Sequence, residues 1–101
     1  MRSITVHDLK ATLDEGSTLV IDVREPDEFA DGHVPGAEPM PLRSVPQRVG
    51  ELPTDRPVYV VCAVGGRSAQ AAAFLAARGV DAVNVDGGTG EWVAAGYPVE
   101  R

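Results

Sequence analysis

Apolar and polar positions along the chain alternate between two rhythms. Ile4 opens a short strand, after which Val6, Leu9 and Leu13 recur at helical spacing. Thr5 stands at the N-cap of that helix with Asp8 at the third position of a capping box, and Gly16 ends it. Thr18 to Val23 is an almost unbroken apolar run between polar flanks, the pattern of a strand buried on both faces. Pro26 to Phe29 reads as a brief helical turn, Gly32 to Gly36 as a loop, and Met40 as part of a short strand. Ser44 and Gln47 suit a capped helix start with Pro46 in its first turn, ending near Leu52 and Pro53. Asp55, Arg56 and Pro57 form a turn. Val58 to Cys62 is the central strand, Ala69 to Arg78 an alanine-rich helix closed by Gly79, and Ala82 to Val85 the next strand. Gly87 and Gly88 then turn the chain into a last helix, Gly90 to Ala95.

Strands and helices alternate throughout, which predicts an α/β fold with a parallel sheet covered on both faces. The 101 residues suffice for one domain spanning 1–101 and are too few for two. No repeat, linker or low-complexity segment interrupts the pattern.

Charge narrows the function classes. A net charge of −6 argues against a nucleic-acid partner, which calls for a basic patch. It also means that an anionic substrate must be drawn by local positive features. The N-terminal stretch lacks the apolar core of a signal peptide, and no apolar run approaches the roughly 20 residues of a membrane helix. The expectation is no membrane association and a cytoplasmic location. The acidic cluster Glu25, Asp27, Glu28 and Asp31 reads as a solvated face.

Cysteine usage adds the chemistry. Cys62 is the only cysteine, so an intrachain disulfide and a C-x-x-C redox pair are both excluded. One cysteine with two distant histidines, His7 and His33, makes no metal-ligand cluster, and no cofactor is expected. Cys62 ends an apolar strand and is followed by Ala63, Val64, Gly65, Gly66, Arg67 and Ser68, where a helix begins. A strand end, a glycine-rich loop and a helix start make a cradle of main-chain N–H groups. A thiol there meets the positive end of a helix and Arg67, and both favour the thiolate. The competing reading is a buried small apolar side chain, which free cysteines often are.

Three segments carry a resemblance. Val20 to Ala37 (VIDVREPDEFADGHVPGA), Tyr59 to Ala72 (YVVCAVGGRSAQAA) and Asp86 to Val99 (DGGTGEWVAAGYPV) resemble, in order, the first signature, the active loop and the C-terminal signature of the rhodanese sulfurtransferase family. The resemblance covers nearly the whole chain. It implies a rhodanese-like three-layer α/β/α sandwich with a mainly parallel five-stranded sheet. It also implies Cys62 as nucleophile, with Ala63, Val64, Gly65, Gly66 and Arg67 as its anion cradle and Ser68 orienting the loop or capping the helix. The implied reaction moves a sulfane sulfur from thiosulfate or a persulfide, through a Cys62 persulfide, to cyanide or a thiol. Four residues separate Cys62 from Arg67, whereas cysteine phosphatases use C-x5-R, one residue longer. Asp22 and Arg24 match the D-x-R of the first signature as supporting residues, read here as an ion-pair staple at a strand end. The family suggests a loop-fixing role for His33, a packing role for Trp92 and a structural turn for DGGTG. The alternative function is a persulfide carrier that delivers sulfur to a thioredoxin-like or other sulfur-acceptor protein.

Overall fold

The computed structural model describes all residues, 1–101. In chain order the elements are β1 (Arg2–Ile4), α1 (Val6–Asp14), β2 (Leu19–Asp22), α2 (Pro26–Asp31), β3 (Glu38–Pro39), α3 (Val45–Arg48), β4 (Val58–Val61), α4 (Gly66–Ala77), β5 (Ala82–Val85) and α5 (Gly88–Ala94). Short 3₁₀ turns, Leu42–Ser44 and Val49–Glu51, flank α3. The strands form one sheet in the order β1-β5-β4-β2-β3, and every neighbouring pair is parallel. The five-stranded parallel α/β sandwich expected from the sequence is therefore observed.

The sheet separates two cores. Val58, Val60 and Cys62 point to the face covered by α3 and α4, where they meet Ala71, Ala72 and Leu75. Val61, Val85 and Val20 point to the other face and meet Leu9 and Trp92. The small side chains of α4 let it lie close to β4 and β5. Leu75 is fully buried there, and such a side chain contributes about 1.5–3 kcal/mol. Because β4 is central and buried, its carboxyl end is held rigidly, and in parallel sheets that end is where ligands bind.

Local expectations were met where the signal was local. Thr5 Oγ1 accepts the Asp8 N–H at 3.1 Å and caps α1, but the Asp8 carboxylate does not reach back to close the expected box; the reciprocal box forms at α2, between Glu25 and Glu28. Several boundaries differ. Strand β1 begins at Arg2, ahead of Ile4, because pairing with β5 and not apolarity sets its length. Strand β3 is Glu38–Pro39, and Met40 lies just beyond it, buried, with its N–H donating to Asp22 O at 2.8 Å. The expected Ser44 cap does not form. Ser44 Oγ donates instead to Pro41 O at 2.7 Å, and the helix splits into two 3₁₀ turns around the four-residue α3. Pro46 supplies no N–H for a longer ladder. Helices α4 and α5 begin at Gly66 and Gly88, ahead of the positions read from apolar spacing. In both, the N-cap is a glycine at positive φ, Gly65 (φ 113°) and Gly87 (φ 81°).

Candidate functional site

Strand β4 delivers Cys62 to the carboxyl edge of the sheet, and Gly65 folds the chain back so that α4 starts beneath the sulfur. The Gly65 N–H donates to Cys62 Sγ at 3.1 Å. Ser68, one turn into the loop–helix junction, places Oγ 3.3 Å from Sγ and donates to Gly65 O at 3.2 Å. Cys62 and Ser68 are both buried, at 1% and 0% exposure. Burial pushes the Cys62 thiol up. Hydrogen bonds from Ser68 Oγ and from the main-chain N–H groups of Ser68, Gly65 and Val64 outweigh it, and the net position is below the ordinary cysteine value. On ionisation the Ser68 hydroxyl can turn from Gly65 O to the sulfur, which is the direction that stabilises a thiolate.

Arg67 behaves differently from the sequence reading. Its guanidinium forms a two-point ion pair with Glu28 of α2, Nη1–Oε1 2.7 Å and Nη2–Oε2 3.0 Å. The fall in the Cys62 pKa therefore comes from hydrogen-bond donors, with Arg67 committed elsewhere. The Arg67 bond, and a second from the Glu25 N–H, lower Glu28 to about 2. Glu28 thus leaves the solvated acidic face to which the sequence assigned it. It ties α2 to the loop, while Glu25 pairs with Arg43. No local signal marks the Glu28–Arg67 pair, whose members lie 39 positions apart.

That pair makes a pH prediction. The folded-state pKa of Glu28 is depressed from 4.5 to about 2, so its stabilisation is present above the unfolded value and is lost as pH falls toward 2. The side chains of Arg67 and Glu28 are 38% and 33% exposed, so solvent limits the contribution to about 0.5–1 kcal/mol. Urea unfolding of wild type and Glu28→Gln at stepped pH should show the wild-type advantage shrinking between pH about 4.5 and 2. Parallel acid limbs would contradict the pairing.

Asp22 and Arg24 form the staple that the sequence suggested. Arg24 Nη2 meets Asp22 Oδ2 at 2.8 Å and Gly32 O at 2.9 Å, and Arg24 N–H donates to Asp22 Oδ1 at 3.0 Å. Both are buried, and they join the end of β2 to the loop after α2. His33 fixes the same loop, with Nδ1 2.9 Å from Phe29 O and its ring stacked on Phe29. Trp92 is core, and its Nε1–H donates to Pro98 O at 2.7 Å. The glycine-rich DGGTG segment does more than turn the chain. The Thr89 and Gly90 N–H groups donate to Cys62 O and Ala63 O at 2.8 and 2.9 Å, so α5 holds the loop after β4 from behind.

The sequence's one cysteine thus lies buried at the carboxyl end of the central strand of a parallel sheet, hydrogen-bonded by the loop and helix start that follow it. The family model for the rhodanese-like domain matches residues 5–95, and the chain belongs to that family. A curated protein named sulfurtransferase from Allochromatium vinosum is 39% identical over 87 residues, covering 85% of this chain and 81% of the relative. The thiosulfate sulfurtransferase GlpE of Pseudomonas putida is 41% identical over 83 residues, covering 81% of this chain and 74% of its own. The crystal structure of a rhodanese-related protein from Thermoplasma volcanium superposes with a TM-score of 0.92 at 36% identity, covering 99% of this chain and 98% of that one. No helix is long and apolar enough to cross a membrane.

Proposed function

We propose that the chain is a single-domain sulfurtransferase that works through a persulfide on Cys62, with residues 1–101 forming the one rhodanese domain. The observation that carries this reading is the sulfur's surroundings: Gly65 N–H at 3.1 Å and Ser68 Oγ at 3.3 Å from Sγ, within a loop of inward-facing amides. In the first half-reaction the Cys62 thiolate attacks the outer sulfur of the donor. For thiosulfate, the S–S bond breaks and sulfite leaves with the electron pair. In the second, cyanide or a thiolate attacks the outer sulfur of the persulfide, and Cys62 leaves as thiolate, ready for another cycle. The cradle stabilises anionic sulfur at both stages, so no general base is required. Ala63, Val64, Gly65, Gly66, Arg67 and Ser68 shape the cradle, and Asp22 and Arg24 brace its surroundings. No metal or cofactor enters the scheme, and the working site is the cytoplasm.

The loop's charge favours a particular donor. Ala63 and Val64 are uncharged, and Arg67 is committed to Glu28. A dianion such as thiosulfate gains little here, and a less charged persulfide suits the loop better. The same feature supports the second reading, a carrier that passes sulfur to a thioredoxin-like or other acceptor protein with little small-molecule turnover. Val64 is 78% exposed, so Val64→Lys adds a cation without burying it. Its KM for thiosulfate should fall about threefold to tenfold, and an unchanged KM would remove charge as the explanation.

The direct test weighs the intact chain after exposure to thiosulfate or to a persulfide donor. A gain of about 32 Da, reversed by cyanide, is the expected signature of a sulfur covalently held by the nucleophile. Loading by the persulfide alone, with transfer confined to a protein acceptor, would favour the carrier. No gain with either donor would overturn the proposal.

A further inference from the structure

Arg67 carries the only formal charge in the loop from Ala63 to Ser68, and it stands one residue before Ser68, whose Oγ is 3.3 Å from Cys62 Sγ. A free guanidinium in that place would draw an anion to the sulfur. It is matched instead by Glu28, which belongs to α2 and not to the loop. Two guanidinium nitrogens engage the two carboxylate oxygens at 2.7 and 3.0 Å, the geometry of a strong two-point pair. Glu28 is itself fixed, because Oε1 also accepts the Glu25 N–H at 3.0 Å. The two charges therefore cancel beside the cradle.

The other guanidiniums tied to this segment are consumed as well. Arg24 is buried against Asp22, and Arg43 is paired with Glu25. The opposite flank of the loop adds a carboxylate and no cation. A Cβ added at Gly65 would lie 4.0 Å from Asp86 Cα, and the Asp86 carboxylate accepts the Asn84 amide at 3.0 Å without an ion-pair partner. Arg67 is nevertheless within electrostatic reach of the sulfur, since a Cys62 thiolate helps to raise its pKa. Both members of the Glu28–Arg67 pair are about a third exposed, so water screens their fields only in part. What cancels Arg67 therefore sets the field at Cys62.

We propose that Glu28 sets the donor class of this site: by cancelling the Arg67 charge beside the cradle, it turns the Cys62 sulfur toward donors of low charge and against dianions. The inference rests on the sulfur-transfer reading above and assigns its donor preference to one residue outside the loop. Glu28 touches no substrate; it is a positioning residue that acts through Arg67. Two donors isolate the effect. Thiosulfate carries two negative charges, and methanethiosulfonate, in which a methyl group replaces one oxygen, carries one. With either, the Cys62 thiolate attacks the outer sulfur, the S–S bond breaks, and sulfite or methanesulfinate leaves with the electron pair. The bond chemistry is shared, and the donors differ by one charge.

The test compares wild type with Glu28→Gln, Arg67→Gln and the double variant in the full chain, each checked by a thermal melt. The amide introduced by Glu28→Gln can still accept from Arg67, so the guanidinium keeps its place with its charge uncancelled. The ratio of kcat/KM for thiosulfate over methanethiosulfonate should rise about threefold to tenfold in Glu28→Gln at low salt, through a lower thiosulfate KM, and the gain should shrink at high salt. Arg67→Gln leaves the carboxylate uncancelled and should lower the ratio by a similar factor, which tests the inference even if Glu28→Gln fails to fold. The double variant removes both charges and should return to within about twofold of wild type. Alkylation of Cys62 by anionic iodoacetate, relative to neutral iodoacetamide, should follow the same order and requires no sulfur transfer. A merely structural role for Glu28 would slow both donors alike and leave both ratios unmoved. Flat ratios in the folded single variants, or a ratio still raised in the double variant, would overturn the inference. Loading by both donors with flat ratios would overturn it alone, whereas failure of either donor to load wild type, with the alkylation order intact, would overturn the sulfur-transfer reading and the donor assignment with it.

Discussion

A Cys62→Ser variant is expected to lose sulfur transfer by on the order of 10⁴-fold or more while remaining folded. The reason lies in the atom replaced. The thiol is poised below its ordinary pKa by Ser68 and the loop amides, whereas a serine hydroxyl stays protonated in the same cradle. Serine also cannot carry a persulfide, so the covalent intermediate of the proposed reaction disappears. The fold should tolerate the exchange. A hydroxyl at Cys62 can still accept the Gly65 N–H and bond with Ser68, so no buried polar group is orphaned. Steady-state turnover with a persulfide donor, beside a thermal melt, checks both halves. Substantial residual turnover in a well-folded variant would remove Cys62 as nucleophile.

Gly88→Ala is expected to be the most damaging single-methyl change in the domain. A Cβ at Gly88 would lie 2.4 Å from Cys62 O and 2.8 Å from Ala63 C and O, with φ at +56°. Those neighbours are main chain and cannot rotate away. The contact also falls on the junction where Thr89 and Gly90 N–H groups hold the loop carbonyls. Steric overlap and left-handed strain together cost about 2–4 kcal/mol, which lowers the melting temperature by about 10 °C or more in a domain of this size. Since Cys62 O must shift to relieve the clash, thiol alkylation and sulfur loading should fall as well. Gly36→Ala is the matched comparison. Gly36 has φ +80° but nothing within 4 Å of an added Cβ, so only about 1–2 kcal/mol of strain is expected, with the thiol unaffected. If the two variants melt alike and react alike, α5 does not hold the loop in place.

How much of this was legible in the sequence follows from the range of the forces involved. The α1 cap, the buried β2 and β4 and the glycine-closed loop after Cys62 were all readable, because each depends on neighbours a few positions away. The boundary errors share one cause. Strand β1 begins at Arg2 because β5 pairs with it, and α5 begins at Gly88 because its first amides reach the active loop. Neither partner is local. The Ser44 reading failed because Ser44 sits at helical φ/ψ (−92°, −11°), continuing the preceding 3₁₀ turn, and lacks the extended backbone from which a cap oxygen accepts a helix N–H.

By itself, the sequence determined the alternation of strand and helix, the place of the lone thiol at a strand end, and the amide-rich loop around it. These rest on periodicity and on glycine's access to positive φ, both properties of short segments. Only the tertiary structure decided that Arg67 is paired with Glu28, that α5 grips the carbonyls of Cys62 and Ala63, and that the Thr89 hydroxyl is buried without a partner. Those outcomes depend on where elements far apart in the chain meet. Packing geometry selects which charges and donors are consumed there and which remain for a substrate.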